Sequence, residues 1–385
     1  MLRIDRYMMV LLGLLTMLLA GCSSGGGGDD EPQPKPTLSI YIYAPNHPIV
    51  TRTGEEMGVE ATDKENEIKK LQIWIFKTGT EEKIGYLELT DDQLANLNSA
   101  VRQEVYRIEI PEDFASTPAA ERSKVDVYVL ANVSEANCGR PNPDGVNAHR
   151  FEPANGSVEH AKIGAGFFCP ATSVPADGLP MSGVLRNIAV TGENPVLKIT
   201  TATLDRAVSK IRFVFSSYAL RERVKIEGVQ LDGHQIPEEE YFFLRELNTE
   251  YKETVTQLLD FRGVMDGSNE IRTNDDPSYY RYDTEEGLST FVNKIALGLR
   301  DKKLTEWPVY LRESDKQLSG KIFYKVGNDV TQRIATFQMS PNGSFMRNHA
   351  WIVYGYFAST QLHVETVDIT PWEDAGMDSH TIYNW

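Results

Sequence analysis

"IKKLQIWIFK" occupies residues Ile68–Lys77, and its alternation decides the fold. Successive side chains on an extended backbone face opposite sides, so Leu71, Ile73 and Ile75 point one way and Gln72, Trp74 and Phe76 the other. β-branched and aromatic residues fill the stretch, and these suit the pleated surface of a strand. The same period of two returns upstream, where Leu38, Ile40 and Ile42 alternate with Ser39, Tyr41 and Tyr43. Downstream it continues in "IGYLEL", "EVYRIEI" and "KVDVYVLANV". The last, with Val125, Val127 and Val129 on one face, reads as a central strand. Asp91–Arg102 predicts one short helix opened by an Asp cap. Residues 141–177 are rich in Gly, Pro and Asn and predict irregular chain. Short β-rich runs separated by turn residues predict an all-β sandwich.

A second series begins at "PVLKITTATLDRAVSKIRFVF", Pro195–Phe215. Its alternation changes character around Leu204–Lys210, which predicts a bulge or a short turn. "EWPVYL", "GKIFYKVG", "RIATFQM" and "AWIVYGYFAS" carry the strands onward. "GLPMSG" (Gly178–Gly183) reads as the close of a first domain, so the boundary is expected near residue 190. The chain is long enough for two domains.

The N-terminus is of another kind. Arg3 and Arg6 precede an apolar run, Met8–Ala20, of about thirteen residues, the length of a signal-peptide core. It ends in Leu18-Leu19-Ala20-Gly21-Cys22, which resembles a bacterial lipobox. Cleavage before Cys22 would leave a thiol for diacylglycerol and an amine for a further acyl chain. Several chains hold a protein on a membrane stably. A plain secretory peptide or an uncleaved anchor is the alternative. "SSGGGGDDEPQPKP" follows, and its Gly and Pro read as a tether. Its Asp29-Asp30-Glu31 run fits either surface routing or simple solubility.

With 55 acidic residues against 39 Lys and Arg, the net charge is −16. That argues against nucleic acid, which needs a basic face. Beyond Cys22 only Cys138 and Cys169 remain. In an oxidising envelope they form either a disulfide or two buried thiols. No P-loop, H-E-x-x-H or C-x-x-C motif occurs. "GAGFFC" at Gly164 misses the third glycine of G-x-G-x-x-G, because Cys169 stands there. The seven His residues are scattered, with no pair at helix spacing for zinc. "RTNDDPSYYRYD" has carboxylates for calcium but reads better as a polar loop. The expectation is therefore a non-enzyme with no cofactor and no metal.

Between Lys35 and Lys64 the only Lys or Arg is Arg52. Pro48, Thr51, Thr53 and Gly54 flank it and favour an extended, accessible loop. The order of several stretches then suggests a family. The lipobox is followed by a first strand and Thr51-Arg52-Thr53. "NEIKKLQIWIF" comes next, then "LPMSG" (Leu179–Gly183) and "LDRAVSKIRF" (Leu204–Phe213), with Ser209 where Ala is usual. "FMRNHAWIVYGYF" (Phe345–Phe357) and the regions of Trp372 and Trp385 complete the order. In this the chain resembles the fimbrillins, lipoprotein precursors of type V pili in Bacteroides-type bacteria.

The resemblance implies two tandem transthyretin-like β-sandwich domains. The expected plan is a signal peptide (residues 1–21), a tether (22–36), an N-terminal sandwich with a removable first strand (37–189) and a C-terminal sandwich (190–385). It also implies that an Arg-specific or trypsin-like protease cuts between Arg52 and Thr53. The first strand, with Leu38, Ile40 and Ile42 facing the core, would then leave. A strand from another subunit would fill the groove by strand addition. Donor candidates are Leu362–Ile369, with Leu362, Val364 and Thr366 on one face, and His380–Trp385, with Ile382 and Trp385. The implied partners are other fimbrial subunits, the protease and, through the lipid, the outer membrane. The implied location is first the outer membrane and then a surface fimbrium. A tip or anchor subunit is the alternative within this class. A monomeric glycan-binding lipoprotein is the alternative outside it, and would need an exposed aromatic platform. Trp74, Tyr128, Trp351 and Tyr354 read as core instead.

Overall fold

A computed structural model describes residues 34–44, 63–80, 82–99, 103–134, 165–166, 171–217, 222–232, 240–242, 259–262, 270–271, 278–282, 285–296, 302–314, 317–339, 347–358 and 361–369. The described chain is all-β in two tandem sandwiches, with short helices.

The first sandwich begins with β1 (Thr37–Tyr43), α1 (Asp63–Asn66), β2 (Leu71–Lys77) and β3 (Lys83–Glu88). There follow α2 (Asp91–Leu97), β4 (Gln103–Glu109), α3 (Glu112–Ser116), β5 (Val125–Ala131) and a two-residue strand, β6 (Ala165–Gly166). β7 (Met181–Ile188), β8 (Thr191–Glu193), β9 (Val196–Thr203) and β10 (Asp205–Arg206) complete it. One sheet runs β4-β1-β9-β8 and the other β10-β7-β5-β2-β3. The core between them contains Leu38, Ile40, Ile42, Leu71, Ile73, Ile75, Val125, Val127 and Val129.

The second sandwich contains β11 (Ser209–Ser217), β12 (Val224–Leu231), β13 (Glu240–Tyr241), β14 (Leu259–Asp260), β15 (Glu270–Ile271) and α4 (Leu288–Ala296). It continues with β16 (Thr305–Leu311), β17 (Ser319–Val326), β18 (Arg333–Gln338), β19 (Ala350–Ala358) and β20 (Gln361–Ile369). Its sheets run β16-β11-β19-β20 and β14-β12-β17-β18, with β15 also on β12, and β13 pairs β6. Ile211, Phe213, Phe215, Trp351, Val353 and Phe357 lie in its core. The two sandwiches repeat one arrangement. β1 sits between antiparallel β4 and parallel β9, and β11 sits between antiparallel β16 and parallel β19.

The alternation in Ile68–Lys77 is apolar on both faces for a reason that lies outside the first sandwich. Ile73 and Ile75 enter its core, while Trp74 and Phe76 join a separate cluster with Tyr128, Val214, Tyr310, Ile352 and Tyr354. That cluster draws on both sandwiches, and Phe291 and Ile295, one helical turn apart on α4, belong to it. Trp74, Tyr128, Trp351 and Tyr354 are all buried, as core residues should be.

Two expectations need correction. The stretch Val196–Thr203 was expected to open the second domain, but β9 pairs in parallel with β1 and belongs to the first sandwich. The sandwiches therefore meet after Arg206, beyond the expected position near residue 190. "GLPMSG" leads into a central strand, β7, and three further strands of the first sandwich follow it. Gly183 is needed there because a Cβ would lie 2.4 Å from the Thr203 carbonyl oxygen. The helix at Asp91 is present, but its cap is Thr90. The Thr90 side chain accepts from the Gln93 amide, and Gln93 returns a bond to the Thr90 amide.

Candidate functional site

β1 supplies the site. Its Leu38, Ile40 and Ile42 are fully buried. The outward face is mixed: Ser39 is buried and Tyr41 exposed. Both backbone edges of β1 are used. Thr37 to Tyr43 pair in unbroken register with Glu109 to Gln103 of β4. The other edge pairs with Val196 to Thr203 of β9, with an irregularity between Ser39 and Tyr41. The Thr37 amide donates to the Pro195 carbonyl at 2.8 Å, and the Ile110 amide to the Pro36 carbonyl at 3.1 Å. At the far end, the Leu204 amide donates to the Tyr43 carbonyl at 3.0 Å.

Taking β1 out would therefore open two sheet edges and an apolar groove. Tyr106 and Ile108 of β4, and Leu197 and Ala202 of β9, would flank that groove, with Ile73 and Val127 as its floor. Burying three Leu and Ile side chains contributes roughly 5–9 kcal/mol, before any backbone bonds. A groove of this kind is costly to leave open. Burial, with the Glu104 carboxylate nearby, pushes the Tyr106 phenol above its usual range.

The predicted donor residues divide. Leu362, Val364 and Thr366 lie on β20, which pairs antiparallel with β19 along its whole length. Leu362 is buried against the second core and Val364 packs partly on it. Here the segment completes its own sandwich. Ile382 and Trp385 lie outside the described residues, as do Cys22, Arg52, Thr53, Cys138 and Cys169. Among the described residues no group of three or more His, Cys, Asp or Glu is placed to hold a metal. No described helix is long and apolar enough to cross a membrane. Sequence reasoning identified the inward face of β1 but missed β4 and β9 as its neighbours. Nothing local in either strand announces that pairing.

Residues 37–207 match the family model described as major fimbrial subunit protein (FimA). The match starts with β1 and ends where the first sandwich does. No curated protein matches. Among solved structures, the chain is similar to the tip fimbrial protein Mfa3 of Porphyromonas gingivalis at 13% identity, covering 87% of this chain and 99% of that one, with a TM-score of 0.45. A putative cell adhesion protein of Parabacteroides distasonis has 14% identity, coverage of 87% and 97%, and a TM-score of 0.46. One from Bacteroides eggerthii has 11% identity, coverage of 89% and 97%, and a TM-score of 0.44. Residues 37–207, less than half of the chain, thus carry the similarity to the FimA family of major fimbrial subunits.

Proposed function

We propose that this protein is a structural subunit of a cell-surface fimbria that supports adhesion. It is made as an outer-membrane lipoprotein anchored through Cys22. An Arg-specific protease matures it between Arg52 and Thr53. β1 then leaves, and a strand of another subunit enters the groove between β4 and β9. One observation carries this reading. β1 is a central strand with both edges paired and three side chains in the core, yet it joins the rest of the chain only through residues 45–62 after Ala44, and Arg52 is the one Lys or Arg there. A strand so placed cannot be removed without creating an acceptor site, and a single cut frees it. Strand addition supplies the same backbone bonds to the newcomer, while alternate side chains refill the pockets.

A second reading has its own support. β20 is fully engaged with β19, so the nearer donor candidate is already committed to its own sheet. A subunit that accepts a strand without donating one would sit at a fimbrial tip.

The test is limited digestion of the unlipidated chain from Ser23 onward with an Arg-specific protease. N-terminal sequencing and negative-stain microscopy follow. The expected result is a first cut before Thr53 and then ladders or filaments, with an Arg52→Ala variant remaining monomeric. A loop that resists cutting would sink the processing model. A cut product that accepts an added strand but never elongates would favour the tip reading.

A further inference from the structure

Three stretches that carried the family resemblance take no part in the groove. They are the start of "NEIKKLQIWIF", the Arg206 to Lys210 segment, and Arg347–His349. The fold brings them together. The buried Arg206 guanidinium donates to the Asn66 side-chain oxygen and, at 3.1 Å, to Asn348 Oδ1. Lys210 Nζ lies 2.6 Å from Glu65 Oε1, and the Tyr310 hydroxyl donates to the same oxygen. Arg347 pairs with Glu313 and donates at 2.7 Å to the Phe242 carbonyl, which also accepts from Ser182 Oγ. Glu65, Asn66, Arg206, Lys210 and Tyr310 are each almost wholly buried.

Burying charge is expensive unless it is paired. Three of these links join one sandwich to the other, and Arg206–Asn66 and Arg347–Glu313 brace them from within each sandwich. Glu65 on α1 reaches β11 and β16. Arg206, on β10 of the first sandwich, holds Asn348 just ahead of β19. Ser182, on β7, meets Arg347 through the Phe242 carbonyl. A cluster of this kind rewards one relative placement and penalises slippage, because a shifted arrangement leaves buried charges alone.

Its place along the chain gives it a use. β1 leaves its sheet at Tyr43, beside Leu204, and Arg206 lies two residues further on. The chain next described is α1, held on Arg206 by Asn66. The described residues on either side, Tyr43 and Asn66, therefore both bond to the same short segment, Leu204–Arg206. We propose, resting on the processing reading for its biological use, that the buried polar cluster anchors the chain after residue 62 to both sandwiches. β1 and the residues up to Arg52 can then depart while everything downstream keeps its fold and placement.

Hydrogen–deuterium exchange on the full chain tests this. Single substitutions strand a buried charge, so the comparison uses the Glu65→Leu/Lys210→Met double variant, which removes both. Amides of residues 63–66 and 347–349 are expected to exchange at least about tenfold faster in the variant, with β2 and β5 unchanged. After the Arg-specific cut, wild type should keep its protection at 63–66 and the variant should lose it. Asn348→Ala, which removes one acceptor of Arg206, is the milder variant and should accelerate the same amides. Equal rates in variant and wild type, or a uniform rise through both sandwiches, would overturn the anchor. Should the protease fail to cut after Arg52, the processing reading falls, while the uncut comparison still decides the anchor.

Discussion

At the scale of single residues, most chemistry of note lies where the two sandwiches meet. His349 follows Asn348, which adopts a positive φ of 57°. Burial lowers the His349 pKa from its ordinary 6.5, and the nearby Glu313 carboxylate opposes that shift. Because the folded protein resists protonating this ring, its contribution to stability is complete above the unfolded pKa. That contribution is lost as pH falls from about 6.5 through the folded pKa. Thermal melts should therefore show Tm falling as pH drops below about 6.5, with a shallower fall in His349→Gln. Equal slopes in the two proteins would remove His349 as the cause. Asp205 acts in the opposite sense. Burial raises its pKa, so its contribution is full below the usual carboxylate range and is lost as pH rises through the folded pKa. The motif residues Arg206, Lys210 and Arg347 were visible in the sequence as parts of a resemblance. Their partners were not, because Lys210 and Glu65 meet only after the intervening first sandwich has folded.

At the scale of elements, β1 allows a direct contrast. Ile40 is fully buried, and the adjacent Tyr41 is 40% exposed beside exposed Val105 of β4. Ile40→Ala should destabilise the uncut chain by about 2–5 kcal/mol in denaturant unfolding, because it leaves a cavity between two sheets. Tyr41→Ala should cost less than about 1 kcal/mol, since it empties no core volume. Similar costs for the two would mean that β1 does not sit in the core as described. The inward set Leu38, Ile40 and Ile42 was legible from alternation alone. The neighbours of β1 were not. Parallel pairing of β1 with β9 requires a connection that spans nearly the whole first sandwich, and such pairings leave no local trace.

At the scale of the whole molecule, the outward faces of β2 and β5 and those of β11 and β19 share one apolar cluster. Neither sandwich can keep those aromatic side chains dry alone. Calorimetry of the uncut chain should give one cooperative transition rather than two. Two well-separated transitions would show that the shared cluster couples the sandwiches weakly.

The sequence by itself determined the class of structure and the inward face of each strand. A period of two is a property of neighbouring residues on an extended backbone, and it survives without knowledge of what the strand meets. The lipobox reading at Leu18–Cys22 and the processing reading at Arg52 are likewise local expectations, and both lie outside the described residues. Only the tertiary structure decided that β9 belongs with β1, that the sandwiches meet after Arg206, and that β20 is held by β19. It also supplied the reason for two apolar faces on Ile68–Lys77, since the second cover comes from residues more than a hundred positions away. Pairing and burial between distant segments depend on how the chain crosses from sheet to sheet. Alternation carries no record of that path.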